Sequence, residues 1–196
     1  MNIRNEQDII QLVKDDSWMM EILAAAKSLH LPDWWVCAGF VRSKIWDTLH
    51  GFAARTPLSD VDVIYFDPVN LEEAAEKELE GQLMRINAAI PWSVKNEARM
   101  HLSNGIPPYL SSVDAISRFP ETATALGVTL DEQNEVVLTA PWGIEDVLNC
   151  VVRPTPSFAE TAESFKIYED RVAKKNWPRV WSDVKVIRNF SNHSLL

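Results

Sequence analysis

Cysteine is scarce in this chain: there are two, Cys37 and Cys150, each in apolar surroundings. So low a count argues against a disulfide-stapled secreted scaffold and reads as two buried thiols in a reducing compartment. Long apolar runs are missing too, and no stretch has the length to span a bilayer. Residues 1–6 lack the apolar stretch of a signal peptide, so a cytoplasmic location is expected. No His/Cys spacing fits zinc, and no glycine-rich P-loop is present. Positive charge is in deficit, with 19 Lys and Arg against 28 Asp and Glu and a net charge of −9. A polyanion such as DNA or RNA is therefore an unfavourable default partner.

What the chain does have is 46% hydrophobic residues over 196 positions, enough for a sizeable core. The pattern reads as one α/β domain over residues 1–196, with its motif core at about 34–101. Helical spacing is expected over 6–12 and 19–29, the second capped by Ser17. Residues 34–38 are an all-apolar run consistent with a buried strand, ended by Gly39, and 41–49 returns to helical spacing. After the aspartate-bearing strand at 60–66, Asn70 and Glu73 stand in capping-box positions for a helix. Its buried stripe would be Leu71, Ala74, Ala75, Leu79, Leu83 and Ile86, and its wet face Glu72, Glu76, Lys77 and Glu80. A third strand is expected at 92–99, then a turn at 105–108 and a short helix at 111–118. A strand pair at 122–130 and 136–139, a helix at 141–148, an extended piece at 150–153 and a closing helix at 157–174 complete the reading.

The chemistry concentrates in Ser59-Asp60-Val61-Asp62-Val63-Ile64-Tyr65-Phe66. Residues two apart on a strand share a face, so Asp60 and Asp62 project together while Val61 and Val63 face the core. Two adjacent carboxylates repel unless a cation lies between them, and a hard ion such as Mg²⁺ (or Mn²⁺) meets that need. Taken alone, an Asp-x-Asp at a strand start is also what an exposed edge shows. Upstream, Gly39 at a strand-to-helix transition lets backbone N–H groups approach a phosphate. Arg42, one turn on, can add a charge-assisted fork. For a third carboxylate the 92–99 strand offers Glu97, on a face with Ser93, Lys95 and Arg99. Asp114 and Asp146 are poorer choices because both sit in helical patterns.

Other features stay open at this level. Six basic residues between Arg171 and Arg188, against the single acid Asp183, either fold over an anionic ligand or form a solvated surface. Trp177 and Trp181 beside them are either a lid or core. His101 either meets phosphate or is structural.

Gly39-Phe40-Val41-Arg42 followed by Ser59-Asp60-Val61-Asp62 resembles the signature of the DNA polymerase β-type nucleotidyltransferase superfamily. The nearest variant is the Gly-Gly-x-Val-Arg-Asp … Asp-x-Asp pattern of tRNA CCA-adding enzymes and poly(A) polymerases. Residues 38–67, 94–101 and 140–154 are also similar to a bacterial family of small nucleotidyltransferase-like proteins. The resemblance implies a mixed β-sheet flanked by helices and Mg²⁺ on Asp60 and Asp62. It further implies nucleoside triphosphate phosphates near Gly39, Arg42 and Ser43, with Glu97 activating the acceptor. Two departures stand out: Phe40 occupies a position that is usually Gly or Ser, and Ser43 stands where the CCA-type pattern has an acid. Phe40 is expected to weaken or re-angle phosphate binding. The expected activity is transfer of a nucleoside monophosphate to a small-molecule or protein hydroxyl, with no recognisable RNA-binding extension and no membrane partner. The alternative is a non-catalytic nucleotide-binding or sensor module on the same fold.

Overall fold

A row of valines holds the sheet together. Val94, Val63, Val36 and Val128 sit in register across four neighbouring strands and are all fully buried. The computed structural model describes residues 3–104 and 106–189, so Gly105 of the expected 105–108 turn lies outside the described residues. The strands are β1 (Trp35–Cys37), β2 (Val61–Tyr65), β3 (Trp92–Asn96), β4 (Gly127–Leu130) and β5 (Val136–Thr139). Their order is β3-β2-β1-β4-β5, with β2 and β3 parallel and the other pairs antiparallel. A short parallel pair, β6 (Val151–Val152) and β7 (Lys185–Val186), forms a second sheet. The expected mixed sheet flanked by helices is what the chain forms. No helix among the described residues is long and apolar enough to cross a membrane.

The helices are α1 (Glu6–Lys14), α2 (Ser17–Lys27), α3 (Gly39–Leu49), α4 (Glu73–Ile86), α5 (Glu97–Asn104), α6 (Ser112–Ser117), α7 (Glu145–Leu148), α8 (Pro156–Ala159) and α9 (Ala162–Lys175). Several starts differ from the sequence expectation, each for a local reason. Asp16, not Ser17, caps α2 by accepting from the Met19 amide at 3.1 Å. The Asn70 side chain accepts from the Glu72 amide instead of capping a helix, so α4 begins two residues later, at Glu73. Leu71 and Ile86 are accordingly exposed, and Leu83 is the deeply buried member of the expected stripe. The 157–174 segment splits into α8 and α9, where Thr161 and Ser164 form a capping box. Residues 122–124 are a 3₁₀ turn rather than strand, and only 145–148 of the 141–148 segment are helical.

The third strand is also shorter than expected. It ends at Asn96, and Glu97 opens α5. Asn96 makes the switch: its Oδ1 accepts from the Ala98 and Asp67 amides, while its Nδ2 donates to the Asp67 and Asn70 carbonyls. A side-chain acceptor directly before Glu-Ala-Arg-Met was the available signal for this helix start.

Candidate active site

The antiparallel register of β1 and β2 sets Cys37 opposite Asp62. The end of β1, where the chain turns into α3, and the start of β2 therefore meet at one edge of the sheet. That register brings Gly39, Arg42 and Ser43 together with Asp60 and Asp62, all of them lining a cleft of about 420 Å³. Thr124, Arg171, Lys175, Trp177 and Trp181 complete its walls. A volume of this size is typical of small-ligand sites.

Asp62 is half-buried on β2, and Asp60 lies exposed just before the strand. Burial and then the Asp60 charge push the Asp62 carboxyl up to about 6, against a hydrogen bond from Ser93 and the charges of Lys175 and Arg171. The parallel register explains the Ser93 contact, because Ser93 is the β3 partner of Asp62. Asp60 in turn accepts from the Ser59 hydroxyl at 3.1 Å.

Glu97 is 7% exposed and does not line the cleft. Its carboxyl is raised to about 7 by burial first, then by the charges of Asp62 and Glu76. The sequence expectation set it on a wet strand face with Ser93, Lys95 and Arg99. It stands instead buried at the start of α5, within electrostatic reach of Asp62. Cys37 reports the same acidic neighbourhood: burial raises its thiol, and Asp62, Glu97 and Asp60 add to the effect. Both cysteines are free and buried, as expected. Asp114 and Asp146 are engaged elsewhere, by Arg118 and Arg153.

Opposite the aspartates, Arg42 is held in an aromatic cage. Its guanidinium carbon lies 4.9, 5.0 and 5.1 Å from the ring centres of Trp46, Trp177 and Trp181. One terminal nitrogen donates to Ser43 Oγ at 2.9 Å, and Nε is buried without a hydrogen-bond partner among the described residues. Burial lowers this arginine to about 10, with Glu121 opposing and Arg171 assisting. Asp47 does not pair with it. The Asp47 carboxylate accepts from the Thr56 amide and hydroxyl and from Trp181 Nε1, at 2.8, 2.6 and 2.9 Å. Asp47 thus ties the loop before Asp60 to the tryptophan wall, a role the sequence reading missed. Trp177 and Trp181, 4% and 3% exposed, are both core and cleft wall.

The turn itself is built around Phe40 and Ala38. Phe40 does not intrude on the cleft: it is 1% exposed and packs 5.9 Å from Trp18, ring centre to ring centre. The unusual backbone sits at Ala38, with φ 56° and ψ −117°, a region that L side chains rarely adopt. Gly39 needs no such freedom. A Cβ added there would meet Arg42 Nη2 at 3.7 Å and Leu58 Cδ2 at 4.0 Å, ordinary contacts. His101, on α5, lies away from the cleft.

Among the described residues no three His, Cys, Asp or Glu side chains gather to hold a metal ion. The two carboxylates that line the cleft are Asp60 and Asp62. Two hard oxygen ligands, with phosphate and water for the rest, is the coordination Mg²⁺ commonly accepts. The Asp62 carboxyl, still raised beside Asp60 despite Ser93, Lys175 and Arg171, fits a cation at that point.

Paired aspartates at the start of a strand, facing a strand-to-helix turn across a mixed sheet, define the class as a nucleotidyltransferase of polymerase β-like fold. A family model described as "Nucleotidyltransferase" matches residues 24–186, and the chain belongs to that family. An NMR structure described as revealing a CCA-adding enzyme head domain superposes with a TM-score of 0.84 at 36% identity, covering 95% of this chain and 98% of that one. The Thermotoga maritima CCA-adding enzyme complexed with tRNA_CCA matches at 15% identity and TM-score 0.56, over 94% of this chain and 42% of that one. A CCA-adding enzyme in complex with CTP matches at 13% identity and TM-score 0.57, over 95% and 44%. These two share the fold, and the chain spans less than half of their length. No match is found among curated proteins.

Proposed function

We propose that this chain transfers a nucleoside monophosphate from a nucleoside triphosphate to a hydroxyl of a small molecule or protein, with Mg²⁺ or Mn²⁺ held by Asp60 and Asp62. The observation that carries this reading is one cleft lined by two aspartates and by a caged Arg42 whose Nε has no hydrogen-bond partner among the described residues. A bound divalent ion supplies charge neutralisation to the triphosphate and to the oxygens on which charge develops. The protein's part is to bind and orient. The Gly39 turn leaves the helix start open to phosphate, and Arg42, braced by Ser43 and three indole rings, presents a fixed cation to it. Glu97, expected from the sequence to activate the acceptor, is buried outside the cleft lining and acts on the site through its charge on Asp62. The net charge of −9 favours an acceptor other than nucleic acid.

The test is incubation with each labelled nucleoside triphosphate, Mg²⁺ or Mn²⁺ and cell extract. Label should reach an acceptor with wild type and not with Asp60→Ala. Binding without transfer would instead favour a nucleotide sensor. A parallel measurement needs no acceptor. Mg²⁺-nucleotide should stabilise the wild type by about 2–3 kcal/mol at roughly a hundredfold its dissociation constant. Asp62→Asn should lose most of that thermal shift while melting normally without ligand, and a variant with an undiminished shift would remove Asp62 from the site.

A further inference from the structure

The cleft has a wall that the motif residues do not account for. Arg171 and Lys175 stand one turn apart on α9, so their side chains share a helix face, and both line the cleft with Asp60, Asp62 and Arg42. Lys174 and Lys175 both complement the C-terminal end of α9, but only Lys175 reaches the cleft. Lys175 and Arg171 are also the two cations whose charges pull the Asp62 carboxyl down. Arg171 lowers the Arg42 guanidinium as well, there by repulsion between like charges. Cations converging from two elements on one small space repel each other unless an anion lies between them.

Arg171 is fixed from behind. Its Nε donates to Glu121 Oε1 at 2.6 Å, and the fully buried Glu121 accepts from Thr124 Oγ1 through its other oxygen at 2.7 Å. An arginine anchored through Nε keeps its terminal nitrogens for another partner. Lys175 is exposed, and none of the ion pairs among the described residues includes it.

We propose that Arg171 and Lys175 are the seat of the triphosphate tail, binding the β- and γ-phosphates and holding pyrophosphate as it leaves. The proposal rests on the triphosphate-dependent transfer above. In that step the acceptor oxygen bonds to the α-phosphorus as the bond to the α–β bridging oxygen breaks. The bridging oxygen keeps the electron pair, and the acceptor's proton passes to water in the cleft. A monophosphate can meet only one charged wall of the cleft. A polyphosphate has the charge and the length to meet both Arg42 on α3 and the α9 pair.

Calorimetry in the presence of Mg²⁺, with nucleoside triphosphate, nucleoside monophosphate and inorganic tripolyphosphate as ligands, tests this. Lys175→Ala should weaken triphosphate and tripolyphosphate by about tenfold, the scale of one hydrogen bond to a charged group. Monophosphate affinity should stay close to wild type. Arg171→Lys, which keeps the charge and loses the fork, should weaken the same two ligands, and Lys174→Ala should bind all three normally. Equal losses in Lys175→Ala and Lys174→Ala, equal losses for mono- and triphosphate, or no loss at all would each overturn the assignment. Tripolyphosphate binding that depends on Lys175, without label transfer to any acceptor, would keep the seat and remove the transferase reading. Label transfer with undiminished triphosphate affinity in Lys175→Ala would do the reverse, and a wild type that binds neither polyphosphate would remove both.

Discussion

Ala38 carries a backbone conformation that a glycine would hold without strain, and it does so where β1 turns into α3 and the cleft begins. The sequence drew the eye to Gly39, because glycine is the residue associated with such turns. The strained residue is the one before it, and composition gives no sign of a positive φ at an alanine. Such strain costs about 1–3 kcal/mol, and glycine's extra conformational entropy returns about 0.5–1 of it. Ala38→Gly should therefore stabilise the fold by about 1 kcal/mol, a rise of about 2–4 °C in a thermal melt. An unchanged or lower midpoint would mean that the turn does not hold this strain in solution. Glu97 makes a second prediction at this scale. Its carboxyl rises from an ordinary 4.5 to about 7, chiefly through burial and then through Asp62 and Glu76. A raised carboxyl means that the folded state binds the proton more tightly than the unfolded chain. Its contribution is present in full below pH 4.5 and is lost as pH rises through about 7. The full loss is roughly 3 kcal/mol, from the scale of one pKa unit in free energy. Without divalent ions, Glu97→Gln should flatten the fall in stability between pH 5 and 8 by about that amount in urea titrations. A variant that tracks wild type through that range would show that Glu97 is not held as described.

Among the elements, α4 shows where local periodicity stops being informative. Its spacing assigned Glu76 to the wet face, yet Glu76 is fully buried. The reason is non-local. Arg99 from α5 reaches it through Nε at 3.1 Å and Nη2 at 2.9 Å, Lys95 from β3 approaches to 3.4 Å, and the Asn96 amide donates to it at 3.0 Å. These donors hold the Glu76 carboxyl below its ordinary range even though burial pushes it up. Glu76 therefore bolts α4 to the junction of β3 and α5, the junction that positions Glu97. The same holds at α9, whose basic character was legible but whose partner, the buried Glu121, lies far off in sequence. By contrast the β1–α3–β2 segment was legible almost in full, because its apolar run, its glycine and its Asp-x-Asp alternation are all local signals. Removing one partner of a buried ion pair costs about 3–5 kcal/mol, since the cations and the amide left behind lose their acceptor. Glu76→Ala should fall in that range in urea unfolding and Glu78→Ala, at an exposed position of the same helix, should cost much less. Equal midpoints for the two variants would remove Glu76 from its bolting role.

At the scale of the whole molecule, two facts pull against each other over the acceptor. The fold is shared with CCA-adding enzymes, one of them solved with tRNA, while this chain carries a net charge of −9. Likeness of fold does not transfer a substrate, and a field of this sign opposes the approach of a long polyanion. The chain does gather positive charge, but Arg42, Arg171 and Lys175 face into a cleft of about 420 Å³, sized for a nucleotide rather than a duplex. Salt separates the two acceptor classes. A protein that neutralises many phosphates of a nucleic acid releases as many counterions, and about 6–10 such contacts lose roughly 10³–10⁵ in affinity between 50 and 200 mM salt. A nucleotide and a small or protein acceptor, engaging a few enclosed charges, should lose no more than about tenfold over the same range, since enclosed charges are screened weakly. Label transfer measured across that salt range, with bulk tRNA added at a large excess, should show a shallow salt dependence and no label in the RNA. A steep decline with salt, or label recovered in the tRNA, would make nucleic acid the acceptor and would mean that local cations around the cleft outweigh the negative field of the whole.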